Sequence, residues 1–184
     1  MKRYSKLLDK NKSALLIIDV QERVLNVMNN KDFFMENLVK LAKGIKVLNI
    51  PIFLTEQYPK GLGETVAVLK DELETTPIQK LSFSCYGAEN LFQQLIDKNI
   101  SQVILCGIES HVCVQQTALD LIENGFQVNL AADAVTSRKI FDYNSAIERM
   151  RSKGIEITSV ESVLFELLNV CGTEEFKAVS KIIK

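Results

Sequence analysis

VILCGIESHVC, Val103 to Cys113, passes from an apolar run into a helical pattern by way of one glycine and a polar turn. Val103 to Cys106 have the short, continuous apolar character of a strand covered on both faces. Gly107 breaks that run, Glu109, Ser110 and His111 make the turn, and a helical pattern follows over Val114 to Ile122. Cys113 stands at the junction. The free N–H groups and the dipole of a helix start favour a thiolate there, so a reactive thiol is the first hypothesis.

Outward from this stretch, strand and helix patterns alternate. Upstream, Ala14 to Asp19, Ile52 to Thr55 and Ile78 to Ser82 read as strands. Helices are expected over Phe33 to Leu48, Thr65 to Leu69 and Asn90 to Asp97, and Pro59, Gly61 and Gly63 make Glu56 to Gly63 a loop. Downstream, a helix from Val114 to Glu123 ends at Asn124–Gly125, and Phe126 to Ala131 and Ile155 to Thr158 are strands around a helix from Asp142 to Lys153. Helices over Glu161 to Leu168 and Thr173 to Ile183 complete the pattern. The expected architecture is α/β: a single-domain three-layer sandwich with a mainly parallel six-stranded sheet, Rossmann-like. One domain covers 1–184, with 1–12 as a loose arm or short helix and 173–184 as a closing helix. Such sheets bind ligands beyond the carboxyl ends of their strands, so candidate residues are sought just after strands.

Composition narrows the function. A chain of 184 residues with 47% hydrophobic content can bury one sizeable core. With 22 basic and 23 acidic residues and no long run of either sign, nucleic acid and anionic membrane are not expected as main partners. Ala14 to Ile18 is too short to span a bilayer and no secretory pattern precedes it, which makes the cytoplasm the expected location. The four cysteines, Cys85, Cys106, Cys113 and Cys171, contain no CxxC pair, so zinc ribbons and thioredoxin-like pairs are not expected. A single histidine, His111, excludes sites that need two. Neither a dinucleotide-binding glycine motif nor a P-loop is present, and no cofactor or metal is implied.

The polar residues at strand ends are Asp19 and Lys80. Asp19 closes the LLII run; it reads either as a turn aspartate or as a partly buried acid in need of a partner. Lys80 reads either as an edge-strand lysine that blocks aggregation or as the partner of that acid. Activating Cys113 favours the second pair of readings. Lowering a thiol pKa by one unit takes about 1.4 kcal/mol, and a helix end supplies roughly 0.3–1 kcal/mol, so a second cation is needed. Lys80 can be that cation, and Asp19 can hold it and move the thiol proton. Cys113 is then expected to alkylate ahead of the other cysteines near neutral pH. His111 is an alternative base, although residues two apart do not share a helix face.

Four segments in this order resemble the isochorismatase-like cysteine hydrolases, relatives of nicotinamidase and N-carbamoylsarcosine amidase. They are LLIIDVQ (Leu15–Gln21), QKLSFSCYG (Gln79–Gly87), GIESHVCVQQTALD (Gly107–Asp120) and AADAVTSR (Ala131–Arg138), and the likeness runs from about Ser13 to Val163. The resemblance implies a catalytic triad of Asp19, Lys80 and Cys113, a cis peptide at Ile108–Glu109 and an oxyanion hole from the N–H groups of Glu109 and Cys113. It implies attack of Cys113 on a carbonyl carbon and a covalent thioester, on an amide, carbamoyl or related C–N bond. The segment TEQYPKGLG, Thr55 to Gly63, lacks the histidines of nicotinamidase metal sites, so the likeness is to a metal-free branch. Gln57, Tyr58, Phe83, Tyr86 and His111 are the pocket candidates, and a homo-oligomer acting on a small molecule is the expected assembly. The alternative is a non-catalytic member that binds a small molecule or a protein; a third reading is a thiol-redox role for Cys113 with Cys85 or Cys106.

Overall fold

Six parallel strands form one sheet: β1 (Ser13–Ile18), β2 (Ile52–Gln57), β3 (Ile78–Lys80), β4 (Gln102–Ile108), β5 (Gln127–Thr136) and β6 (Glu156–Thr158). They lie in the order β3-β2-β1-β4-β5-β6 in a computed structural model that describes residues 3–184. The helices are α1 (Glu22–Leu25), α2 (Lys31–Val47), α3 (Pro59–Leu62), α4 (Ala67–Leu73), α5 (Leu91–Asp97), α6 (Gln115–Glu123), α7 (Ile140–Ser152), α8 (Val160–Leu168) and α9 (Glu174–Ile183).

Alternate residues of each central strand enter different layers, which is why the strands read as unbroken apolar runs. Leu15, Ile17, Ile104 and Cys106 pack under α2, α4, α8 and α9. Ala14, Leu16, Ile18, Val103 and Leu105 pack on the opposite face against α5, α6 and α7. The direction of strand addition reverses between β1 and β4, and a crevice opens there beyond the strands' carboxyl ends. Among the described residues no helix is long and apolar enough to cross a membrane.

The structure corrects several boundaries. Gly107 does not end β4; the strand runs on to Ile108. Gly107 has φ +118°, and a Cβ there would stand 2.2 Å from the Ile18 carbonyl oxygen. Glycine therefore lets β4 pass close to the end of β1. The fifth strand continues past Ala131 to Thr136, with a register shift opposite Leu105 to Gly107, and the third stops at Lys80, two residues before the expected end. Glu56 and Gln57 extend β2, and Pro59 at the helix start turns the expected loop into α3. The N-terminal arm is tied down rather than loose: Leu8 is fully buried and its N–H donates to Glu166 Oε2 at 3.0 Å.

Candidate active site

Asp19 follows β1 directly and takes a left-handed backbone, φ 54°. Aspartate tolerates that conformation better than most residues. Its carboxylate is buried and held at both oxygens: Oδ1 accepts from Thr55 Oγ1 at 2.7 Å, and Oδ2 accepts from Lys80 Nζ at 2.6 Å. Lys80 lies on an edge strand, as one reading of it held, but its side chain is wholly buried. Besides Asp19, the ammonium donates to Gln57 Oε1 at 2.9 Å and to the carbonyls of Ser82 (3.2 Å) and Phe83 (2.9 Å). These partners use all three ammonium protons.

Cys113 sits in a five-residue turn of wide helix, Ser110–Val114, between β4 and α6. The N–H groups of Val112 (3.1 Å) and Val114 (3.2 Å) both donate to the Glu109 carbonyl, which holds the turn closed. The peptide bond between Ile108 and Glu109 is cis. The Cys113 thiol is buried, and its pKa is raised well above the ordinary thiol range. Burial is the main cause, the nearby Asp19 carboxylate adds to it by charge and hydrogen bonding, and Lys80 opposes it only in part. The expectation of a resting thiolate is therefore corrected. Lys80 is neutralised by Asp19, so the thiol faces a carboxylate and keeps its proton.

Asp19 and Cys113 line one cavity of ≈ 310 Å³ together with Gln57, Phe83, Ile108 and Glu109. Its remaining walls are Arg23, Val24 and Val27 around α1, Leu62 of α3, Val112 and Arg138. Another cavity, ≈ 370 Å³, lies between α2 and the ends of β5 and β6 and contains no cysteine.

Three expected pocket residues lie elsewhere. Tyr58 caps α3 with its ring over Gly61 and is half exposed. Tyr86 packs edge-on against Phe92, with ring centroids 5.5 Å apart. His111 is not among the residues that line the cavity; its Nδ1 lies 3.0 Å from Ser137 Oγ and its Nε2 3.9 Å from Asp142 Oδ2. Sequence reasoning passed over Arg23 and Arg138. Both lie within or beside the quoted segments, Arg23 just beyond LLIIDVQ and Arg138 at the end of AADAVTSR, and position close after a strand was the available signal.

A parallel sheet whose reversal point carries a thiol, a carboxylate and a small cavity defines an α/β protein with a candidate site at that crevice. Within that class the chain belongs to the isochorismatase domain family, which matches residues 13–162, and it has that family's hydrolase fold. It is 38% identical to the secreted isochorismatase effector Isc1 of Phytophthora sojae, over 100% of this chain and 89% of the relative. It is also 38% identical to isochorismatase domain-containing protein 2 of Danio rerio, over 93% of this chain and 86% of the relative. Among solved structures, the MAR1 ribonuclease of Caenorhabditis elegans superposes with a TM-score of 0.88 at 37% identity, covering 96% of this chain and 91% of that one. The YcaC protein of Escherichia coli, described as an octameric hydrolase of unknown specificity, superposes with a TM-score of 0.91 at 27% identity, covering 100% and 91%.

Proposed function

We propose that the protein is a cysteine-dependent hydrolase of a small amide, carbamoyl or related C–N bond. The observation that carries this reading is that Asp19, held by Lys80 in a buried ion pair, lines one cavity with Cys113, whose thiol pKa is pushed up by burial. A neutral thiol beside a carboxylate suits proton transfer at the moment of attack. Cys113 Sγ bonds to the carbonyl carbon as Asp19 takes the thiol proton. The N–H groups of Glu109 and Cys113 hold the resulting oxyanion. Asp19 returns the proton to the leaving nitrogen, the C–N bond breaks, and a thioester remains. Water then attacks the thioester with Asp19 again as base, and Cys113 leaves as the thiol. Lys80 keeps Asp19 oriented and charged through the cycle.

The cavity volume suits a small compound rather than a folded nucleic acid. Free Cys85, Cys106, Cys113 and Cys171 fit a reducing, cytoplasmic setting, although the P. sojae relative is described as secreted. The octameric E. coli relative supports assembly into a homo-oligomer.

An ammonia-release screen over small primary amides and carbamoyl compounds tests the reading, with Cys113→Ala as control. Release by the wild type and none by the variant is expected. Because the C. elegans relative is described as a ribonuclease, a labelled RNA joins the screen. RNA cleavage that survives Cys113→Ala, with no amide turned over, would replace this reading.

A further inference from the structure

The charges around the cavity do not cancel. Asp19 is neutralised by Lys80. Glu109 is neutralised by Arg138, whose Nε (3.0 Å) and backbone N–H (3.1 Å) both donate to Glu109 Oε2. Arg23 remains. Arg23 is a solvent-exposed residue on the wall of the same cavity; its guanidinium makes one hydrogen bond, from Nη1 to the Gly61 carbonyl at 2.8 Å, and it has no acidic partner among the described residues. A guanidinium offers five N–H donors, so most of its fork is open. The terminal nitrogens of Arg138 are not used by Glu109 either, since that contact runs through Nε and the main chain.

The other walls sort by character. Val24, Val27, Leu62, Phe83, Ile108 and Val112 are apolar. A molecule that fits therefore has three parts: a carbonyl group at Cys113, a short apolar body and an anionic end at the guanidinium.

We infer that this site selects substrates bearing a carboxylate or comparable anionic group, with Arg23 as the residue that reads it. The inference rests on the proposed amide chemistry for the identity of the reacting group, but not for the anion preference. An anion at Arg23 gains a planar, charge-assisted fork of hydrogen bonds that a neutral analogue lacks. A neutral amide of the same length leaves the guanidinium with water and the Gly61 carbonyl. A cationic amide meets it as a like charge.

Binding separates this inference from the chemistry. Succinamate and butyramide share a four-carbon chain and a primary amide, and differ in the terminal carboxylate. Their affinities are measured by titration calorimetry on the Cys113→Ala protein, which holds ligand without turning it over. We expect succinamate to bind about tenfold tighter or more. Arg23→Gln in the same background removes most of that preference, and Arg23→Lys, which keeps the charge without the fork, keeps part of it. Preference should weaken as salt is raised from 50 to 500 mM, as a partly exposed charge contact must. Equal affinities, a preference that survives Arg23→Gln, or no binding of either compound overturns the inference. Selective binding of succinamate with no ammonia released from it by the wild type would uphold the anion site and count against the proposed hydrolysis.

Discussion

At the scale of residues, the site depends on which charges are already satisfied. Lys80 gives its protons to Asp19, Gln57 and two carbonyls, so it stabilises Asp19 rather than a Cys113 thiolate. Iodoacetamide labelling checks this. Because the Cys113 pKa is raised, its thiolate fraction is very small at neutral pH, and its labelling rate should climb through pH 9 without a plateau. Exposed Cys171 should label ahead of it near pH 7, by peptide mass mapping. A plateau near pH 7 would restore the activated-thiolate view. The ion pair itself is tested by Lys80→Met, which leaves a buried carboxylate unpaired and should destabilise the fold by about 3–5 kcal/mol in urea unfolding. Adding Asp19→Asn to that variant should recover much of the loss, since the cost lies in the orphaned charge rather than in the absent bridge.

At the scale of elements, Cys113 reaches Asp19 because β4 runs alongside the end of β1 and then turns at once. Gly107 permits that approach, with a left-handed φ and the Ile18 carbonyl where a side chain would begin. Gly107→Ala should therefore cost more than the ~1 kcal/mol typical of an exposed glycine substitution, because both the backbone and its neighbour must move. The expected result is a lowered thermal midpoint together with loss of activity, read by calorimetry and the ammonia assay. A variant of normal stability and activity would show that the approach of β4 to β1 is not needed. The sequence pattern carried the strand but not its continuation: glycine interrupts an apolar run, and the reason it is tolerated is a contact with a distant strand. The helical turns α1 and α3 were illegible for a related reason, since four residues do not display a helical period.

At the scale of the whole molecule, continuous apolar strands and helical patterns between them were enough to read a parallel sheet covered on both faces. Asp19, Lys80 and Cys113 could be singled out as candidates because Asp19 closes the LLII run, Lys80 is a lysine at a strand end and Cys113 stands at a strand-to-helix turn. Arg23 and Arg138 were not, because an arginine just after a strand looks like any solvated residue until its neighbours' charges are paired off. Tyr58 and Tyr86 misled for the opposite reason: their rings settle on Gly61 and Phe92, partners that sequence position does not reveal. The buried thiols give a prediction for alkaline stability. Cys85 is pushed up to about 11, and Cys106 and Cys113 are raised further, by burial first in each case. Between the ordinary thiol value and these raised ones, the unfolded chain has released protons that the folded chain keeps. Stability should therefore fall as pH rises above about 8.5, by up to about 1.4 kcal/mol per pH unit for each thiol. Urea unfolding at pH 8 and pH 10 measures the slope, and Cys106→Ala should make it shallower; an unchanged slope would remove Cys106 from the account.

The central claim is that Cys113 carries the acyl group of a substrate while Asp19 moves its proton. Acid quenching during turnover of the best amide from the ammonia screen, followed by peptide mass mapping, tests this most directly. The account predicts an added mass equal to the acyl group on the peptide containing Cys113, absent in Cys113→Ala and depleted in Asp19→Asn, whose turnover falls by about 10²–10⁴-fold. Steady turnover by Cys113→Ala, with no acyl group on any cysteine of the wild type, would contradict it.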